Sequence, residues 1–388
     1  MTAALTFDGF RRANGSIGVR NHVLILSVTG LTGPSARRIG RAIPGARVVT
    51  TPYGSGLMGD DGTLQRRALS ALGRHPNVAA VLVVGASPPL VVQVVDEIRQ
   101  TGKPAEPLIL DDCDHDAVTL TERGTRIAAR LMREASRLRR TPVQLAELFI
   151  GMECGRSDPS SGLVANPLVG AVVDAIIASG GTAVFGETVE WLGAEHLLAR
   201  RAANPQIAQA IQDAVTRREH AAVAAGMDLL GNNPGPTNVA AGLTTIEEKS
   251  LGGIAKGGHS PIRGVIGIAE SPPGRGLYVM DAPAYAPESV TGLVAAGAQL
   301  VLFTTGVGNS FVSALAPTIK ISGNPVASAR LREQLDFDAS PVFERRESPE
   351  AAATRLQAML LEVASGTLTW GEILDEGEEV ISRLGPAL

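Results

Sequence analysis

Two kinds of segment alternate along the chain. Short runs rich in β-branched residues, apolar at nearly every position, are followed after a turn by longer segments in which apolar residues return every three or four positions. The first kind reads as strands buried on both faces, the second as helices covering them. Val81–Val84 predicts a strand, Ser87 an N-cap and Pro88 the first residue of a helix that continues to Gln100 and stops near Gly102. A similar unit has its strand at His22–Val28, turns through Gly30–Gly33 and enters a helix at Pro34. Strands at Arg47–Thr51 and Pro107–Asp111 and helices over Leu64–Leu72 and Thr119–Leu138 follow the same pattern. Arg137 to Pro142 reads as a basic helix end and linker.

Beyond the linker, strands are predicted at Leu148–Met152, Thr182–Phe185, Gly264–Ala269, Leu277–Met280, Leu300–Thr304 and Thr318–Ser322. Helices are predicted after Asp158-Pro159 to Ala178 and over Trp191–Ala202, Pro205–Ala225, Pro349–Ala364 and Trp370–Arg383. Gly226–Gly258, rich in Gly, Asn and Pro, reads as a long ordered loop of the kind that usually carries function. The alternation implies an α/β fold with two Rossmann-like parallel-sheet domains, residues 1–142 and 143–388. The length, 388 residues, also exceeds what one hydrophobic core usually supports.

Composition narrows the function classes. With 44% hydrophobic and 19% charged residues the chain has ample apolar surface to bury, which excludes a disordered protein. A net charge of −4 without long like-charge runs argues against a nucleic-acid partner. Two cysteines cannot form a disulfide framework, and Met1 to Arg12 has no apolar signal region, so a cytoplasmic protein is expected. Val78–Val95 is uncharged and nearly long enough to span a membrane. Gly85, Pro88 and Pro89 in its middle make it a strand and a helix instead, and no membrane association is expected.

Candidate chemistry lies where strands end. Gly30–Gly33 lacks the dinucleotide fingerprint, so ordinary strand–helix packing is favoured there. Gly151 to Asp158 follows a strand and precedes a helix, a place where backbone N–H groups bind anions; helix capping by Ser157 and Asp158 is the plainer alternative. Cys154 reads either as a metal ligand or as a buried thiol. Asp111 to Asp116, with Cys113 and His115, could hold a metal, but alternate residues point apart, which favours a solvated loop. Glu187, Glu190, Glu195 and His196 surround a strand-to-helix junction; paired carboxylates there could share a proton or hold a cation, or simply start a helix in solvent. Asn232 to Asn238, Lys249 and Lys256 belong to the long loop, and Thr304, Thr305 and Lys320 to late strands.

Taken together these segments resemble one family. Gly18-Val-Arg-Asn21, Cys154-Gly-x-Ser-Asp158, Ser161-Gly-x-x-Ala-Asn-Pro167 and Gly186-Glu-Thr-x-Glu190 with Gly193-Ala-Glu195 are similar to motifs of the altronate/galactarate dehydratase family. Glu247-Glu-Lys-Ser-Leu-Gly252, Phe303-Thr-Thr-Gly306 and Pro317-Thr-Ile-Lys320 continue the series in family order over nearly the whole chain. The resemblance implies a lyase that removes water from a polyhydroxy acid to give a 2-keto-3-deoxy acid. A related branch eliminates sulfite from sulfolactate. The resemblance also implies a divalent metal, iron or manganese, a separate small SAF-domain subunit and an oligomer.

On this reading His196, Glu190, Glu195 and Lys249 are candidates for the catalytic steps. Arg20, Asn21, Arg156, Ser157, Asp158, Lys256, Thr304, Thr305 and Lys320 are candidates for substrate binding, and Cys154 and Glu187 for a metal. The chain departs from the family where relatives carry Cys and it has Gly30, Ser55 and Pro88, and where Arg156 replaces a Gly and Val307 a basic residue. The lost thiols leave a second expectation open, a paralogue that binds an acid without turning it over. A nicotinamide or flavin oxidoreductase rests on the strand–helix units alone.

Overall fold

A computed structural model describes residues 5–229 and 233–383 of the chain. The N-terminal portion runs β1 (Thr6–Arg11), β2 (Ile17–Gly18), β3 (His22–Ser27), α1 (Gly33–Ala42), β4 (Arg47–Thr50), α2 (Asp60–Arg74), β5 (Val78–Gly85), α3 (Pro88–Arg99), β6 (Ala105–Ile109), α4 (Ala117–Ala135) and β7 (Thr141–Gln144). The C-terminal portion begins with β8 (Phe149–Cys154), α5 (Asn166–Ala178), β9 (Thr182–Phe185), α6 (Glu195–Ala199) and α7 (Pro205–Ala224). It continues through α8 (Pro236–Ala240), α9 (Ile246–Ile254), β10 (Ile262–Gly267), β11 (Gly276–Asp281), α10 (Ala286–Ala295), β12 (Leu300–Thr304) and β13 (Thr318–Ser322). It closes with α11 (Pro325–Arg330), β14 (Phe337–Asp338), α12 (Ser340–Phe343), α13 (Pro349–Ala364) and α14 (Trp370–Ile373).

The fold is α/β, as the apolar runs imply. Four parallel strands in the order β4-β3-β5-β6 form one sheet, and seven in the order β10-β11-β9-β8-β12-β13-β14 form the other, also parallel throughout. All eight residues of β5 and all five of β12 are buried, which is why these strands read as continuous apolar runs. The stretch Val78–Val95 is accordingly a strand and most of a helix. The apolar segment Ser161–Ala178 is long enough to cross a membrane, but 56% of it is buried inside the protein. The two sheets share a core: α2 packs with α3 and with α10, and Val290, Val301 and Phe303 join Leu26, Leu72 and Val94 in one apolar cluster. Asn77 adds polar stitching. Its side chain accepts from the Val19 N–H at 2.8 Å and donates to the Gln299 and Leu315 carbonyls, both at 2.9 Å.

Three expectations are corrected. A small antiparallel sheet, β2-β1-β7, takes up part of the segment read as a linker; its strands are too short to show a pattern, and Phe7, Ile17 and Val143 mark its buried face. Residues 226–258 are not a continuous loop but contain α8 and α9, the latter opened by a capping box between Thr245 and Glu248; Asn232 lies outside the described residues. The C-terminal helix ends at Ile373, not Arg383. A positive φ at Asp375 turns the chain, and residues 376–383 run as an extended strap to α2, where Gln65 Nε2 donates to the Ser382 carbonyl at 2.8 Å.

The strap carries a buried acid. Glu379 accepts from the Ser313 hydroxyl and from the Ala314 N–H, its other oxygen has no partner, and burial pushes its carboxyl up to about 7. Between the ordinary glutamate range and 7 the native state therefore holds a proton that the unfolded chain has released, and stability falls as pH rises through that window. Urea midpoints should drop between about pH 5 and about pH 8, and Glu379→Gln should flatten that drop.

Candidate active site

In the larger sheet the chain builds outward from β8 to one side and then returns to add β12 on the other. Open parallel sheets leave a crevice at such a reversal, beyond the carboxyl ends of the strands. A cleft of about 670 Å³ occupies this place. Cys154, which ends β8, and Gly155 and Arg156, which follow it, line one side, and Asn309, Ser310 and Phe311, which follow β12, line another. Glu190, Lys249, Tyr285, Glu376 and Glu378 complete the polar lining.

The floor is a buried charged cluster. Gly186 follows β9, and Glu187 takes a left-handed conformation, φ 67°, which turns its side chain and that of Glu190 inward rather than to solvent. Lys256 Nζ donates to Glu187 Oε2 at 2.5 Å and to Cys154 Sγ at 3.1 Å. The Cys154 thiol donates to Glu190 Oε2 at 3.0 Å, and Lys249 Nζ pairs with Glu190 Oε1 at 2.6 Å. Lys249 also donates to the Asn233 side chain, which anchors the segment before α8 to the cluster.

Burial and charge set the protonation of each group. Burial pushes the Cys154 thiol well up, and the Glu187 and Glu190 carboxylates reinforce it. Burial and the neighbouring Glu190 also raise Glu187. Burial alone would raise Glu190, but Lys249 and Lys256 outweigh it and hold this carboxyl below its usual range. The same pairs overcome desolvation at both lysines, which stay protonated. Glu153, directly behind the cluster on β8, is a site residue the sequence reading missed. Burial and Glu187 raise its carboxyl well above normal, and one oxygen accepts from Ser289 Oγ at 2.7 Å.

The remaining candidates divide sharply. Arg156, φ 55°, is exposed at the cleft mouth. Asp158 does not face the cleft: it accepts from Ser160 Oγ and from Asn324 Nδ2, both at 2.6 Å, and so holds the loop after β8. The Ser157 carbonyl accepts from Asn238 at 2.8 Å, while its buried hydroxyl has no partner. Thr304 donates to Asn166 at 2.5 Å, and Thr305 accepts from the Gly308 N–H at 3.1 Å. Lys320 donates to the Asn309 carbonyl; burial brings it down to about 8, and it braces the wall rather than lining the cleft. Glu195 is half-buried and His196 is exposed on α6; neither lines the cleft or touches the cluster. The Asp111–Asp116 segment is the solvated loop expected, with Asp116 capping α4.

Arg20 and Asn21 lie elsewhere. The Arg20 guanidinium grips Glu372 through two bonds, 2.6 and 2.8 Å, and donates to the Val19, Val363 and Thr367 carbonyls. Asn21 bonds Arg12 and the Ala135 carbonyl. Arg20 is a clamp between the N-terminal segment and the α13–α14 region, not a substrate ligand. Arg20→Ala should cost about 3–5 kcal/mol, because it strands a buried carboxylate; thermal unfolding measures it.

Cys154, Glu187 and Glu190 are the group among the described residues whose donor atoms, within 4.8 Å of one another, could hold a metal. Lys256 already stands against two of them. A divalent ion there would have to compete with that ammonium for the same Glu187 oxygen and the same sulfur. With Lys256 in place the ion does not fit. Gly30, Ser55 and Pro88 follow β3, β4 and β5 at the matching edge of the four-stranded sheet. A Cβ added at Gly30 would lie 2.5 Å from the Pro52 carbonyl oxygen, so that edge has closed around glycine.

Residues 145–387 match the family described as D-galactarate/Altronate dehydratase, C-terminal, and residues 9–136 match D-galactarate dehydratase/Altronate hydrolase, second domain. The chain belongs to this dehydratase family. Among its relatives is the (2R)-sulfolactate sulfo-lyase subunit beta of Chromohalobacter salexigens, 39% identical, with 98% of this chain and 97% of the relative covered. The altronate dehydratases of Bacillus subtilis and Escherichia coli are each 32% identical over 99% and 98% of this chain and 78% of their own length. As a member of the family the chain is an enzyme, a lyase of the dehydratase type.

Proposed function

We propose that the chain eliminates water from a small polyhydroxy acid to give a 2-keto-3-deoxy acid. The observation that carries this is the ionised Glu190–Lys249 pair on the floor of the cleft, beside the exposed Arg156. Removing the proton next to a carboxylate needs a base and a cation that stabilises the enolate-like charge. Glu190 is the proposed base and Lys249 the cation, with Arg156 holding the outer end of the substrate. Glu376 and Glu378, on the far wall, are the proposed acids for the departing hydroxyl. No step uses the implied iron or manganese.

A second reading is elimination of sulfite from a sulfolactate-like acid. It is supported by the match over 97% of the sulfo-lyase subunit and by Arg156, whose guanidinium suits a sulfonate. The word subunit in that relative's name supports the further proposal of a separate small partner chain, of the SAF type, in a larger oligomer. Two unpaired buried cysteines fit a cytoplasmic location. The experiment is a panel of hydroxy acids and sulfonated hydroxy acids, assayed for 2-keto acid and for sulfite with and without the neighbouring small subunit. Keto acid without sulfite supports the first reading, sulfite release supports the second, and no turnover of any acid contradicts both.

A further inference from the structure

We propose that the ammonium of Lys256 is the resident cation of the Cys154–Glu187–Glu190 trio and keeps divalent metal ions out of it. This holds whichever acid the enzyme acts on. Each donor of the trio is already satisfied from within the protein. Glu187 accepts from Lys256 and, at 3.2 Å, from the Cys154 N–H. Glu190 accepts from Lys249 and from the Cys154 thiol, and the sulfur accepts from Lys256. Two ammonium groups already face the two carboxyl groups, and a divalent ion would add charge of the same sign as both lysines.

Lys256 also cannot step aside. Its ammonium lies 5.9 Å from the centre of the Phe185 ring, and its side chain is 1% exposed. The backbone at its root is in direct contact with α5. A Cβ at Gly170 would sit 2.3 Å from the Ala255 carbonyl oxygen, and one at Gly258, φ 58°, would sit 2.5 Å from the Gly170 carbonyl oxygen. The backbone that carries the lysine is therefore held against the helix. The trio thus has the chemistry of a soft metal site, thiol and carboxylate together, with a lysine built into the place of the ion.

The test is titration of the purified full chain with Co²⁺, read by the thiolate-to-cobalt absorption band and by elemental analysis. Wild type should show no band that depends on Cys154. Lys256→Ala should gain one equivalent of cobalt with the band, and Lys256→Ala combined with Cys154→Ser should lose the band. Cobalt should also raise the unfolding temperature of Lys256→Ala but not of wild type, since a ligand stabilises only the fold that binds it. A stoichiometric band in wild type that Cys154→Ser removes would overturn the proposal. If Lys256→Ala cannot be purified, the wild-type titration decides alone: no band supports the proposal, and a band contradicts it.

Discussion

Lys249→Gln is expected to lower kcat/KM by about 10²–10³, the loss seen when one preorganised donor facing developing negative charge is removed. Lys249 is the cation of the cluster that both lines the cleft and pairs with the proposed base, so two functions fail together. Glutamine keeps the length and one donor toward Glu190 and Asn233, so the fold should stay intact by circular dichroism. The Glu190 carboxyl, no longer held down by the ammonium beside it, should rise. The acid limb of the pH–rate profile should therefore move to higher pH, a shift that a purely structural lysine would not produce.

A large effect on stability is expected at Lys256. Lys256→Ala leaves Glu187 and the Cys154 thiol buried without their cation, and breaking a buried pair from one side costs about 3–5 kcal/mol. For a unit of this size that lowers the unfolding temperature on the order of 10 °C. Combining Lys256→Ala with Glu187→Gln removes the stranded charge as well. The double variant should be less destabilised than the two single losses added together, by about 1–3 kcal/mol, measured by calorimetry. Additive losses would mean the pair is not coupled.

Much of the fold was legible because parallel strands buried on both faces cannot hide: β3, β5, β8, β9 and β12 are largely apolar runs. The β1-β2-β7 sheet was not, since two to six residues with one or two apolar anchors give no period. The Thr245-x-x-Glu248 capping box was present in the sequence and would have placed α9 inside the supposed loop. The helix predicted to Arg383 failed because a strap buried on one side imitates an amphipathic pattern.

At the site, Cys154, Glu187, Glu190, Lys249 and Lys256 were found because they stand at strand ends or in one Gly-rich segment. Which lysine faces substrate was not legible: Lys256 turns inward and Lys249 toward the cleft, a choice made by packing against α5. Arg20 misled for the same reason, since nothing in Gly18-Val-Arg-Asn21 announces Glu372, 352 residues away. Glu153 left one signal, a charged residue inside a strand otherwise buried and apolar, and such a residue needs a partner or a proton.

The central claim is that elimination takes place on the Glu190–Lys249 floor of this cleft. The most direct measurement is the rate of 2-keto acid or sulfite formation by Glu190→Gln beside wild type, on the best acid of the panel, with the fold checked by calorimetry. Turnover in wild type and a loss of about 10² or more in the folded variant is the predicted result. Equal turnover in the two proteins would contradict it.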